Sequence, residues 1–160
     1  GPLTNPAGAN CQLLGVFAPQ LTEMFAEALR LLGARSAFVV HGHDGLDEIS
    51  VCAPTRVSQL DDGAVHTYDI YPEHYFGGRA DPEQMTGGDP PENAAITRAV
   101  LAGETGPKRD VVLLNTAAAL VACRKATDLK AGIALAQRAI DSAAAMGKLD
   151  ALIDYTHSNG

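Results

Sequence analysis

Apolar positions along this chain switch between two periods. Residues 11–17, Cys-Gln-Leu-Leu-Gly-Val-Phe, form a short β-compatible run. From 20 to 32, Leu21, Met24, Phe25, Ala28, Leu29 and Leu32 recur at the spacing of one helix face. Pro19 suits a helix start, where no N–H partner is needed, and Gly33 suits its end. Residues 37–40 are continuously apolar, and a buried strand is expected over 36–40. Strand, helix, strand at this spacing is a βαβ unit and predicts a parallel sheet with a right-handed crossover.

The next segments carry a weaker period. Residues 49–53 and 55–60 are short β-like runs on either side of Pro54, and Asp61-Asp62-Gly63 is a hairpin-type turn. Residues 64–70 alternate and predict a strand with one polar face, antiparallel and peripheral. Residues 71–90 form a long excursion with one helical turn near 73–76. Asp89 then caps a helix opened by Pro90 and Pro91 and closed by Gly103. From Pro107 onward the chain is helical. Residues 109–123 are nearly all apolar, so that helix is expected to be buried on most sides, with Asn115 and Thr116 as its polar interior residues. The stripe from Val111 to Val121 reads as core rather than as a ligand channel. Thr127-Asp128 caps the next helix, which is expected to run to about Met146. Gly147 separates it from a last helix, 148–155. With no repeat or low-complexity linker, residues 1–160 read as a single α/β domain.

Composition narrows the function classes. The chain has 160 residues, 46% hydrophobic and 19% charged, with a net charge of −7. An acidic chain without a Lys or Arg run is a poor nucleic-acid binder. No stretch approaches about 18 consecutive apolar residues, so no membrane partner or span is expected. The N-terminus lacks the basic and apolar regions of a signal peptide. Cys11, Cys52 and Cys123 form no Cys-x-x-Cys pair and read as small buried hydrophobes in a reducing, cytoplasmic setting. The Gly1-Pro2 start, without Met, fits a tag scar or a chain that begins inside a longer protein.

Candidate chemistry concentrates in residues 41–50, His-Gly-His-Asp-Gly-Leu-Asp-Glu-Ile-Ser, at the end of the predicted buried strand. The adjacent carboxylates Asp47 and Glu48 are hard oxygen donors. Such a pair suits Mg²⁺, which keeps several waters and takes one or two carboxylates plus substrate phosphates. The plain alternative is two solvated loop acids. His41 and His43, with Asp44 or Asp47, offer a second donor set that would suit Zn²⁺; more commonly a strand-end His donates to a backbone carbonyl and orients a loop. His66 and His157 read as solvated, and His74 lies in the irregular excursion. Gly-x-Ser-x-Gly is absent, and Gly77-Gly78-Arg79 and Gly87-Gly88-Asp89 match no phosphate-loop fingerprint, so they read as turns.

The same residues carry a family resemblance in register. Gly1-Pro2-Leu3-Thr4-Asn5-Pro6-Ala7 resembles the hinge segment of anthranilate phosphoribosyltransferases. Val39-Val40-His41-Gly42 with Gly45-Leu46-Asp47-Glu48-Ile49-Ser50 resembles their metal-binding segment. Gly87-Gly88-Asp89 with Glu92-Asn93-Ala94, and Gly106-Pro107-Lys108-Arg109-Asp110 with Leu113-Leu114-Asn115, resemble later blocks. The resemblance implies transfer of phosphoribosyl from phosphoribosyl pyrophosphate to anthranilate, in tryptophan biosynthesis. It implies that Asp47 and Glu48 bind Mg²⁺ carried by the sugar pyrophosphate, and that the full protein is a homodimer. For fold class it implies α/β: a parallel-sheet layer with an antiparallel excursion and several C-terminal helices, like the C-terminal domain of nucleoside phosphorylases and phosphoribosyltransferases, here incomplete.

The departures from that pattern matter as much. The helical N-terminal domain, the Gly-Thr-Gly-Gly-Asp phosphate loop, the Lys/His/Asn segment near the ribose and an arginine upstream of the hinge have no counterpart here. The chain therefore resembles the C-terminal part of such an enzyme, and the 160 residues alone are expected to show no transferase activity. Thr116 stands where the family more usually has Ala, and His43-Asp44 lengthens the loop before Gly45. Two other readings stay open: a nucleoside phosphorylase-like fragment, which the Asp47-Glu48 pair fits less well, and a non-catalytic binding or oligomerisation module, which would self-associate without Mg²⁺-dependent ligand binding.

Overall fold

Seven consecutive buried residues, Ser36–Gly42, form the strand around which the structure is built. The computed structural model describes Leu3 and residues 8–158; the hinge-like segment 1–7 otherwise lies outside them. Four strands, β1 (Cys11–Gly15), β2 (Ser36–Gly42), β3 (Thr55–Asp61) and β4 (Ala64–Ile70), form one sheet in sequence order. The first pair is parallel and the other two are antiparallel. The expected parallel-sheet layer is thus one parallel pair, joined to an antiparallel hairpin. Helix α1 (Leu21–Leu31) connects the parallel strands.

Side chains alternate across a strand, so a strand buried on both faces serves two cores. Ala37 and Val39 of β2 meet Ala26 and Leu29 of α1, with Leu60. Phe38 and Val40 point the other way. They join Leu113, Leu114, Ala117 and Ala118 of α4 (Pro107–Ala122) and Ile133, Ala136 and Ile140 of α5 (Leu129–Asp141). The α4–α5 crossing is close: a Cβ on Gly132 would lie 2.8 Å from Ala117 Cα. Between the sheet and α4 the chain makes α2 (Glu73–Phe76), a 3-10 turn at Pro82–Met85, and α3 (Pro90–Leu101).

Local signals fall where expected. Gly33 has φ +82° and closes α1, and Asp62 and Gly63 both take positive φ in the β3–β4 turn. The carboxylates of Asp89 and Asp128 accept the N–H groups of Glu92 (2.9 Å) and Ala131 (2.8 Å), capping α3 and α5.

Four expectations are corrected. Residues 49–53 are not a strand, because Ser50 Oγ accepts the N–H groups of Cys52 (2.9 Å) and Ala53 (3.2 Å) and diverts them from any ladder. The last helix break lies at Ser142-Ala143, not Gly147. Ile140 is the last buried residue of α5, Ala143 adopts φ +60°, and α6 (Ala144–Ser158) runs straight through Gly147. Cys11 and Cys52 are half-buried and Cys123 is exposed, so none is a core hydrophobe. Within α4, Arg109 is buried while Thr116 faces solvent, because that helix covers the sheet with only one side.

Candidate functional site

Strands β1 and β2 are parallel, so their carboxyl ends open on the same edge, the usual place for ligands in open α/β sheets. The loop leaving β2 at Gly42 is tied down by its own polar groups. Gly42 N–H donates to Leu46 O (2.7 Å) and Gly45 N–H to Gly42 O (2.9 Å). Ser50 Oγ donates to the Asp44 carboxylate (2.5 Å), and Ser50 N–H donates to Thr55 Oγ1 (2.9 Å). Buried His41 donates from Nδ1 to Val16 O (2.8 Å), linking the ends of the two parallel strands.

Residues 43–48 of this loop are all exposed, the acidic pair among them. Asp47 and Glu48 face solvent. Among the described residues, neither carboxylate has a hydrogen bond or ion pair. Both line an open cleft of about 410 Å³ with Gly15, Val112, Asn115 and Thr116. Val111 and Val112, expected as core, are therefore also cleft wall; only the part of α4 around Leu113, Leu114, Ala117 and Ala118 is core.

Two residues hold the backbone on either side of this pair. The Asn115 amide brackets the Ile49 peptide: Ile49 N–H donates to Asn115 Oδ1 (2.9 Å), and Asn115 Nδ2 donates to Ile49 O (2.9 Å) and Val111 O (2.9 Å). On the other side the Asp47 carbonyl rests on Gly15, where a Cβ would lie 1.5 Å from the oxygen. Sequence reasoning marked Asn115 as a polar residue in an apolar helix and as part of a family-like block, without a role, and did not single out Gly15. The lone amide was the available signal for the first; the second shows only when distant segments meet.

The donor set suits a hard cation that brings its own ligands. Two free neighbouring carboxylates beside open space match Mg²⁺, which fills its remaining positions with water and phosphate oxygen. The Zn²⁺ alternative is not assembled. His41 is engaged with Val16, and His43 Nε2 lies 3.2 Å from Asp69 Oδ1. Among the described residues no group of three or more His, Cys, Asp or Glu side chains converges.

The other two motif blocks serve the scaffold. Asn93 closes on Gly88 from both directions, accepting its N–H (3.0 Å) and donating to its carbonyl (2.8 Å). Arg109 donates to Asp141 Oδ1 (2.6 Å) and to Gly103 O (2.8 Å), joining α4 to α5 and to the end of α3. Burial pushes the Asp110 carboxyl up from its ordinary value, against the pull of Arg109. His66, His74 and His157 are exposed.

An α/β sheet with an acidic cleft at the carboxyl ends of its parallel strands defines a ligand-binding class, and comparison with known proteins gives it a family. The chain belongs to the glycosyl transferase family, a/b domain, whose family model matches residues 1–146. It is 71% identical to the anthranilate phosphoribosyltransferase of Desulfosudis oleivorans, over 100% of this chain and 48% of that protein. The crystal structure of the Thermus thermophilus anthranilate phosphoribosyltransferase matches 97% of this chain and 46% of its own, with 42% identity and a TM-score of 0.87. The Saccharomyces cerevisiae enzyme in complex with PRPP and Mg matches 99% of this chain and 46% of its own, with 30% identity and a TM-score of 0.84. The chain thus spans about half the length of the curated relatives it matches.

Proposed function

We propose that this chain is the metal-binding, C-terminal part of an anthranilate phosphoribosyltransferase. In that reaction the anthranilate nitrogen forms a bond to the anomeric carbon of phosphoribosyl pyrophosphate. The bond from that carbon to the pyrophosphate oxygen breaks with its electron pair leaving on the oxygen, and the amine gives up a proton. Asp47 and Glu48 hold Mg²⁺ through their carboxylates, in the cleft they share with Asn115 and Thr116. When bound, Mg²⁺ offsets the charge that develops on the departing pyrophosphate and orients it. The residues of this chain do the rest of their work by position: a loop braced by its own hydrogen bonds holds the backbone that carries both carboxylates beside one cleft.

One observation carries this reading. Two adjacent carboxylates, free of partners among the described residues, line a cleft at the carboxyl ends of parallel strands. The names of the relatives supply the substrates.

The remainder of the enzyme completes the site. Among the described residues β1 is an edge strand that pairs only with β2, and all five of its residues are half-buried. Phe17, just beyond β1, is 83% exposed, and Leu31 and Leu32 at the end of α1 are exposed. We place the missing N-terminal part against β1 and assign homodimer assembly to the complete protein. Three free thiols suit a cytoplasmic enzyme. No described helix is long and apolar enough to cross a membrane.

The test compares three samples by Mg²⁺-dependent turnover of anthranilate and phosphoribosyl pyrophosphate. The complete protein is active. The complete protein carrying Asp47→Asn and Glu48→Gln loses at least about a hundredfold, as loss of a metal site predicts. The 160 residues alone give no product. Unchanged kinetics in the double variant would remove the metal assignment, and product from the 160 residues would remove the division of labour.

A further inference from the structure

The two flanks of the acidic pair are fixed by residues from different elements. Gly15 ends β1 and Asn115 lies in α4, and both line the cleft that Asp47 and Glu48 face. At Gly15 the limit is steric. A side chain would place its Cβ 1.5 Å from the Asp47 carbonyl oxygen and 2.5 Å from its carbonyl carbon, and these are backbone atoms that cannot rotate aside. At Asn115 the hold is polar. One amide side chain satisfies both the N–H and the C=O of Ile49, the residue after Glu48, and its second amide hydrogen is fixed on Val111 O. That third bond sets which way the amide faces, so its oxygen meets the Ile49 N–H. Chain direction on both sides of Asp47-Glu48 is therefore set from outside the loop.

We propose that Gly15 and Asn115 are positioning residues for the cation site. Gly15 fixes the depth of the Asp47 peptide against the sheet end, and Asn115 fixes the orientation of the Glu48–Ile49 peptide. Both carboxylates then approach one ion without further ordering of the loop. Neither residue supplies a ligand. This rests on the metal reading of Asp47 and Glu48. A carboxylate pair on a loose loop would still attract a divalent cation, but it would lose conformational freedom on binding and hold the ion less tightly.

The test uses the complete protein with phosphoribosyl pyrophosphate present and reads bound Mn²⁺ by electron paramagnetic resonance, independently of turnover. The variants are Asn115→Leu, which keeps the branched side-chain shape and removes all three hydrogen bonds, and Gly15→Ala, which acts from the other side. Asp47→Asn with Glu48→Gln is the reference for a lost site. The Mn²⁺ dissociation constant is expected to rise roughly ten- to hundredfold in each positioning variant, the usual effect of removing support from behind a metal ligand. The KM for anthranilate should stay at the parent value, which a general loss of structure would not allow. Parent-like Mn²⁺ affinity in Asn115→Leu, alongside loss of affinity in the double variant, overturns the positioning role alone. Parent-like affinity in the double variant overturns the metal reading and this inference together.

Discussion

Individual side chains in this structure divide into those that spend their polarity inside the fold and those that leave it free. Asp44, Ser50, Asn93, Asn115 and Arg109 all have their donors or acceptors engaged within the chain, whereas Asp47 and Glu48 do not. The contrast could not be read from residue type, since Asp44 and Asp47 are the same amino acid three positions apart in one loop. The sequence marked the loop and the pair; only the fold shows which carboxylate Ser50 consumes. Asp110 carries a prediction at this scale. Burial favours its neutral form, so the folded chain keeps that proton to higher pH than the unfolded one. Over that interval the folded state binds more protons, and stability falls as pH rises through it. Below the ordinary value of 3.8 both states are protonated and the penalty is absent. Asp110→Asn is therefore expected to raise Tm near neutral pH, with the gain vanishing in acid. A gain that persists or grows in acid would contradict this account.

At the scale of elements, what was legible followed from strong local signals. The 3.6-residue period of α1, the Asp89 and Asp128 caps, the Asp62-Gly63 turn and the continuous apolar run of β2 each fix their element from a few neighbouring residues. What was not legible depended on partners far along the chain. The parallel pair and the antiparallel, peripheral β4 were read correctly, but that β3 lies against β2 is a choice among strands, the 49–53 run lost its strand to a serine hydroxyl, and the end of α5 was set by where burial stops. Gly147 looked like a break only because glycine usually is one. The α4–α5 crossing gives the prediction proper to this scale. Gly132→Ala would put its methyl 2.8 Å from both Cα and Cβ of Ala117 and 3.0 Å from its carbonyl oxygen, with no flexible group to yield. Overpacking of this kind costs about 1–3 kcal/mol, to be read from the urea midpoint. A variant as stable as the parent would show that the two helices can slide apart freely.

For the whole molecule, the sheet gathers cleft-lining groups at the carboxyl ends of its parallel strands and, among the described residues, has β1 and β4 as its edge strands. A segment resembling a hinge, an adjacent carboxylate pair and two later blocks were all quotable in sequence order. Their convergence was only partial in space: the Gly87–Asn93 and Gly106–Asp110 blocks brace helices, while residues 41–50 carry the candidate chemistry. On the proposed function, this division would let the chain hold the cation-binding loop in place while turnover draws on the rest of a longer enzyme. The central claim is that Asp47 and Glu48 grip a divalent cation together with a sugar pyrophosphate. Its most direct test is a crystal structure of the complete protein with Mn²⁺ and phosphoribosyl pyrophosphate, using the anomalous signal of manganese. The account predicts a peak within hard-cation coordination distance, about 2.0–2.2 Å, of carboxylate oxygens from both residues and of pyrophosphate oxygens. A peak held by the pyrophosphate alone, with both carboxylates turned to solvent, would contradict it.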